Sequence, residues 1–140
     1  MNQSANLSAE ISVGEFLDKI TILQIKSERI PDPAKLRNIR HELDVLLRTW
    51  EASPHSRQDL GVEIAELKQI NETLWEIEDD IRIKESAGEF DEDFIRLARS
   101  VYINNDQRAA IKRRINVKTG SDLIEEKSYA DYRRPDDTGQ

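Results

Sequence analysis

The side chains best suited to bind a small molecule lie in one short segment near the C-terminal end. Arg108 and Lys112 are four residues apart, so on a helix they share one side and can clamp a phosphate or a carboxylate. Asn104 and Asn105 come just before them and favour a turn, because their side chains compete for backbone hydrogen bonds. The free N–H groups of the helix that follows would face the same point. The segment therefore predicts an anionic-ligand site, with Tyr102 stacked beside the ligand.

The tail that follows is expected to fold over this site as a lid through Lys127 and Tyr129. Two features oppose an anion there. Asp106 would repel it at the start of the helix, and the basic residues have an acidic helix with which they can pair. The segment Tyr102–Asn116 thus supports two interpretations, a ligand site and a structural patch of ion pairs.

Acidic residues are concentrated on one predicted helix, where Glu63 and Glu66 form an ExxE pair and Glu76 and Asp79 form an ExxD pair. Magnesium binds through oxygen ligands, which carboxylates supply. Glu63 and Glu76 are 13 residues apart, which places them about 140° apart around the helix axis, so the two pairs cannot share an ion within one chain. The chain also has no cysteine and only two histidines. We predict no metal site, no cofactor and no catalytic residue.

The net charge of −7 argues against binding to nucleic acid. The charges are unevenly distributed: residues 59–93 hold 13 acidic and 3 basic side chains, and residues 96–121 hold 7 basic and 1 acidic. Two neighbouring segments of opposite sign are expected to neutralise each other inside one fold or across a dimer. In the basic segment, the cations at positions 108–114 fan around the helix and no aromatic side chain is interleaved, so stacking on bases is not expected.

The longest apolar stretch, residues 20–25, is far shorter than the ~20 residues that a membrane-spanning helix needs, so no membrane insertion is predicted. The first residues, MNQSANLSAE, lack the basic and apolar regions of a signal peptide. These two features predict a cytoplasmic protein.

Apolar residues recur at helical spacing along the chain and no strand pattern occurs, which predicts an all-α fold. The expected architecture is a helical bundle built on a long antiparallel helical hairpin, with shorter helices packed at its C-terminal end. Residues 1–11 are expected to form a flexible arm, 12–120 the helical domain, and 121–140 a tail that is largely disordered after about residue 132. Five helices are predicted: one from the Ser12 cap to about residue 30, one at 34–51, one from 59 to about 87, a short one after the Asp91 cap, and one from 107 to about 117.

Local signals set these helix boundaries. Ser12 and Glu15 form a capping box, in which the Ser12 hydroxyl accepts from a backbone N–H and Glu15 reaches back. Asp32 and Asp91 are expected N-caps of later helices. The predicted helix ends are Pro31, Gly88 and Gly120, and the predicted break between the fourth and fifth helices is Asn104–Asp106.

The first predicted helix is apolar on two sides, since Ile22 and Ile25 lie away from the face that carries Phe16 and Leu17. Such a helix is either sandwiched between neighbours or covered by a partner chain. In the third helix, apolar residues recur every 3.5 positions on average from Leu60 to Ile81, which is typical of coiled coils. We expect self-association through one or both helices, with Ile22 and Ile25 in the interface.

Two polar residues, Glu63 and Asn71, lie on or beside the apolar stripe of the third helix. A polar residue at a core position can fix the register or the oligomeric state. Alternatively, the stripe is wider than one neighbouring helix can cover, and this part of it is hydrated.

Three stretches carry a resemblance to a known family: Ser12–Arg29, Phe90–Asn116 and Gly120–Tyr129. They resemble a group of small bacterial proteins catalogued only as a domain of unknown function, and the resemblance covers about residues 11–132. Such proteins accompany glycosyltransferases or genes for cell-surface polysaccharides, so the resemblance implies a bacterial protein linked to that process. The family carries no assigned catalytic residues, so the resemblance implies one domain and no mechanism.

The leading hypothesis is a non-enzymatic helical module for protein interaction, which forms a homo-oligomer or binds a protein partner. The alternative is a small enzyme or an anionic-ligand-binding domain with a site around residues 102–116. An enzyme or binding domain should show a concave polar pocket in which titratable side chains converge. A module should show an apolar patch larger than a monomer normally exposes.

Overall fold

The computed structural model describes residues 5–134 of the chain and contains four α-helices in that part. Helix α1 spans Val13–Arg29, α2 Pro33–Ala52, α3 Gly61–Ala87 and α4 Glu92–Thr119, with a 3₁₀ turn at Pro54–Arg57. The described residues include no strand, so the predicted all-α helical bundle is confirmed. None of the helices in this part of the chain is both long and apolar enough to cross a membrane.

Side-chain caps begin three of the helices at the positions that the sequence predicts. Ser12, Asp32 and Asp91 each accept a hydrogen bond from the backbone N–H three residues later, at 2.9–3.1 Å. The second half of the predicted capping box is wrong, because the Glu15 carboxylate binds Lys112 on α4 and does not reach back to Ser12. Ser12 thus caps the start of α1, while Glu15 joins α1 to α4.

Glycines end the two long helices. Gly88 follows α3 and Gly120 follows α4, with φ of +67° and +70°. This left-handed conformation is one that glycine adopts without strain and other residues rarely do. Both predicted helix ends are confirmed.

The predicted break at Asn104–Asp106 is wrong, since α4 runs through it as one helix. Asn104 Nδ2 donates to the carbonyl oxygen of Ser100 at 2.8 Å, so its side chain bonds along the helix and leaves the backbone ladder intact. Asn and Asp weaken a helix by only about 0.7 kcal/mol each, which the packing of α4 against α1 and α3 outweighs. The C-terminal part is therefore one helix of 28 residues, where two shorter helices are predicted.

Helix α1 lies at the centre of the bundle and packs against α2, α3 and α4. Both of its apolar sides therefore face neighbouring helices of the same chain, which favours the sandwiched alternative. Helix α2 packs chiefly on α1, where Trp50 stacks on Phe16. The central core consists of Leu17, Ile20, Leu60, Leu67, Ile70, Ile111 and Ile115.

Helices α3 and α4 extend away from this core at the ends where they are joined. In the described chain, the buried positions of α3 all lie within 63–77 and those of α4 within 111–116. Glu63 near the start of α3 contacts Lys118 near the end of α4 at 2.9 Å, so the chain reverses direction between the two helices. We call residues 80–101, which project beyond the core, the distal segment.

Candidate functional site

A network of polar side chains is buried where α1, α3 and α4 meet. Asp18 is 1% exposed, and its carboxylate accepts from Arg108 Nε and Asn71 Nδ2, both at 2.9 Å, and from a second guanidinium nitrogen. Asn71 Nδ2 also donates to Thr21 Oγ1 at 3.0 Å. A buried carboxylate requires such partners, because an unpaired charge away from water is very costly. We call Asp18, Thr21, Asn71 and Arg108 the polar network.

The positive charge of Arg108 is paired with the Asp18 carboxylate of this network. The hydrogen bond to Asp18 raises the pKa of Arg108, and burial opposes it with a smaller effect. A third guanidinium nitrogen contacts Asn105 Oδ1 at 3.4 Å. Since a bidentate contact fixes both position and direction, the guanidinium is held in one orientation.

A cleft of about 420 Å³ opens beside the polar network, between α1, α3 and α4. Its apolar lining residues are Ile22, Leu74 and Trp75. Its amide and guanidinium groups come from Asn71, Asn105 and Arg108. Its remaining charged residues are Lys26, Glu78 and Asp79. The volume lies within the roughly 300–1,000 Å³ range of small-molecule sites, as do the volumes of other grooves in the described chain, so the lining and not the volume distinguishes this cleft.

A second group of charges lies one turn farther along α4, outside the cleft. Lys112 Nζ contacts Glu15 Oε2 on α1 at 2.6 Å and Glu125 Oε2 in the tail at 3.2 Å. Burial lowers the pKa of Lys112, but the hydrogen bonds to Glu15 and Glu125 and the nearby negative charges together outweigh it, so the net direction is upward. The same contact lowers the pKa of Glu125. Lys112 therefore stays cationic and joins α1, α4 and the tail.

The structure brings Asn105 and Arg108, among the five residues predicted to bind a ligand, into the cleft. Asn104 lies on another side of α4 and lines a different groove. Tyr102 is 40% exposed, and its ring centroid lies 4.8 Å from that of Tyr132. Because α4 is continuous, the predicted helix N-terminus with its free backbone N–H groups does not exist here. That part of the site prediction is wrong.

The two residues predicted for self-association have different surroundings. Ile22 is half-buried and lines the cleft. Ile25 is 1% exposed and belongs to the interior of the chain. Ile25 is therefore not available to a second chain, and a charged residue at this position would disrupt the core without testing an interface.

Sequence reasoning missed Asp18, Thr21 and Trp75. Asp18 and Thr21 are three residues apart on a helix that is apolar on both sides, where a buried charge needs a partner. This pair of polar residues on an otherwise apolar helix was the feature of the sequence that could have indicated a buried polar network. Asn71, which is 6% exposed, donates to Asp18 and Thr21 inside the bundle and also lines the cleft, so neither alternative for this residue is excluded.

The acidic start of α3 pairs with the basic end of α4. Lys118 Nζ contacts Glu63 Oε1 at 2.9 Å, and Arg114 binds Glu66. The hydrogen bond from Lys118 lowers the pKa of Glu63. No group of three or more acidic, histidine or cysteine side chains within residues 5–134 is arranged to hold a metal ion.

Residues 121–134 run back along α4 without regular secondary structure. Besides the Glu125 contact, Glu126 binds Arg113 at 3.2 Å. Lys127 and Tyr129, the residues predicted to form a lid, line a groove with Asp106 and do not line the cleft. The predicted disorder after about residue 132 falls largely on residues 135–140, which lie outside the described part of the chain.

A family model matches residues 7–136, and its description is a family of unknown function, DUF6165. No curated protein and no solved structure matches the chain. The matched range includes all four helices and the tail along α4, so the polar network and the cleft both lie within it. The predicted resemblance to a domain of unknown function is confirmed, and the chain belongs to the family of unknown function DUF6165.

Proposed function

We propose that the chain is a small-ligand-binding domain whose site is the cleft between α1, α3 and α4. One observation carries the proposal: Asn71 and Arg108, two members of the polar network, line the same cleft as Trp75. An apolar wall with a few fixed polar groups is the usual composition of a small-molecule site. Because the polar groups are already held by hydrogen bonds, a ligand would not have to order them.

Within this proposal the cleft residues have distinct roles. Trp75 covers a flat apolar face of the ligand, and Asn105 and Arg108 bind its polar edge. This is the alternative that the sequence favoured second, with the site moved from the segment 102–116 to the cleft. The proposal concerns binding and assigns no catalytic residue.

The two tryptophans of the chain make the proposal testable by fluorescence. Trp50 lies outside the cleft, with its ring centroid 6.3 Å from that of Phe16. A Trp50→Phe variant therefore reports on the cleft through Trp75 alone. We expect a screen of sugars, nucleosides, nucleotide sugars and sugar phosphates to contain a ligand that changes this fluorescence and raises Tm.

The Trp75→Ala substitution is expected to weaken binding of that ligand by about tenfold or more, because the apolar wall of the cleft is removed. Isothermal titration calorimetry measures the change. Trp50→Phe is the control and should retain the affinity of the wild type. The proposed function would be contradicted if Trp75→Ala bound the ligand as tightly as the wild type, or if no compound in the screen bound.

A second candidate is the protein-interaction module, which we place on the distal segment and pair with a second copy of the chain. Three apolar side chains there are 54–64% exposed: Ile83, Phe90 and Ile95. Within the distal segment, residues 80–93 hold six acidic and two basic side chains, whereas residues 94–101 hold two arginines and no acidic side chain, and Arg99 has no ion pair within residues 5–134. An antiparallel pair of distal segments would bring these opposite charges together. The proposed setting is the bacterial cytoplasm, in cell-surface polysaccharide synthesis.

Sedimentation velocity tests this second candidate. At roughly tens of micromolar, the wild type should sediment as a dimer, and Ile95→Lys should shift it to the monomer. Val62→Lys is the matched control, since Val62 is 64% exposed at the start of α3 and outside the distal segment. A wild-type protein that sediments as a monomer at this concentration would exclude the module.

A further inference from the structure

Both cations that the sequence suggests as an anion clamp are already neutralised within the chain. Asp18 binds two nitrogen atoms of Arg108. Glu15 and Glu125 flank Lys112, whose side chain is 10% exposed. A phosphate or carboxylate that approached either cation would meet a carboxylate already in place.

The cleft itself has no excess of positive charge. Its cations are Lys26 and Arg108, its carboxylates are Glu78 and Asp79, and the buried Asp18 lies directly behind Arg108. Two like charges ~10 Å apart weaken binding by about tenfold at the effective dielectric constant near a protein surface. The electrostatics of the cleft therefore disfavour an anionic ligand.

The amide groups of the cleft retain unused hydrogen-bonding capacity. Asn71 Nδ2 donates to Asp18 and Thr21, whereas its Oδ1 has no partner among residues 5–134 although the residue is only 6% exposed. Asn105 Oδ1 faces Arg108, and its Nδ2 likewise has no partner in the described chain. A matching ligand donates a hydrogen bond to Asn71 Oδ1 and accepts one from Asn105 Nδ2. A hydroxyl group can do both.

Resting on the proposed ligand site, we infer that the cleft binds a ring compound that carries hydroxyl groups and no negative charge, such as an unphosphorylated sugar or nucleoside. The ring covers the indole of Trp75, and its hydroxyl groups bond to Asn71 and Asn105. Asp18 acts as a positioning residue, because it orients the guanidinium of Arg108 and cancels its charge.

The test compares ligands that differ only by a phosphate, with Trp75 fluorescence in the Trp50→Phe protein as the readout. The pairs are glucose with glucose phosphate and adenosine with adenosine monophosphate. We expect the unphosphorylated member of a pair to bind about tenfold more tightly. The Glu78→Gln/Asp79→Asn variant should narrow this difference, since both side chains are exposed and line the cleft. Glu42→Gln/Asp44→Asn, with the same charge change on the exposed face of α2, should leave it unchanged.

Asp18→Asn adds a second, independent arm. Asparagine keeps a side-chain oxygen that accepts from Arg108, but it no longer cancels the positive charge of Arg108. The ratio of affinities should therefore shift toward the phosphorylated member of each pair. Circular dichroism checks that the variant is folded before its binding is measured. Equal or tighter binding of the phosphorylated member to the wild-type cleft would overturn the inference and leave the proposed function standing. If no compound of either charge binds, the proposed function fails and the inference fails with it.

Discussion

Replacing Gly14 with alanine is expected to lower the free energy of unfolding by about 3 kcal/mol. A Cβ atom at this position would lie 2.5 Å from the carbonyl oxygen of Lys112 and 2.9 Å from Oδ1 of Asn116. Because the nearer atom belongs to the backbone of α4, it cannot rotate away, and α1 must shift. The shift would also break the buried hydrogen bond from Gly14 N to Asn116 Oδ1, which is 2.7 Å long. Urea denaturation followed by circular dichroism measures the loss.

Gly61 provides the matched control. It is the first residue of α3, and a Cβ atom built there would have no neighbour within 4 Å. Gly61→Ala is expected to be neutral or to stabilise by up to about 1 kcal/mol, because alanine restricts the unfolded chain. A Gly14→Ala protein as stable as the Gly61→Ala protein would show that α1 and α4 do not approach each other so closely.

The Asp18→Ala substitution is expected to lower the free energy of unfolding by about 3 kcal/mol, because it leaves Arg108, whose side chain is only 28% exposed, without its buried partner. Arg108 loses its counter-ion, and Asn71 loses an acceptor. The control is Asp131→Ala. Asp131 binds Arg133 in the exposed tail, and this contact lowers the pKa of Asp131 to about 2. Because water screens an exposed pair, the unfolding transition of the control should not move.

Replacing both partners separates the structural role of the pair from its role in the cleft. Asp18→Leu combined with Arg108→Met should be more stable than Asp18→Ala alone, because apolar side chains of similar volume need no counter-charge. The double variant should still bind the ligand more weakly than the wild type, since the guanidinium proposed to contact the ligand's polar edge is gone. If Asp18→Ala unfolds at the same urea concentration as Asp131→Ala, the polar network does not stabilise the bundle.

Local sequence was sufficient for most helix boundaries. The cap at Ser12 depends on a backbone N–H three residues away, and the left-handed ends at Gly88 and Gly120 depend on a missing side chain. Such interactions join groups only a few residues apart in the chain, so they do not depend on the tertiary fold and can be predicted from sequence. The same approach failed at Asn104–Asp106, where weak local preferences for a turn were outweighed by packing between helices.

The amino-acid sequence by itself determined the all-α class, the ends of the long helices, and Asn105 and Arg108 as polar groups of a candidate site. Only the tertiary structure decided that Arg108 faces Asp18, a residue 90 positions away, and that Ile25 lies inside the chain. The physical reason is that the helical period fixes which residues share a face, whereas the choice of neighbour for that face depends on how all four helices bury their apolar surface together. Packing therefore also decides what a charged residue on a buried face can do. If packing places an opposite charge beside the residue, its charge is cancelled; if not, the charge is available to a ligand.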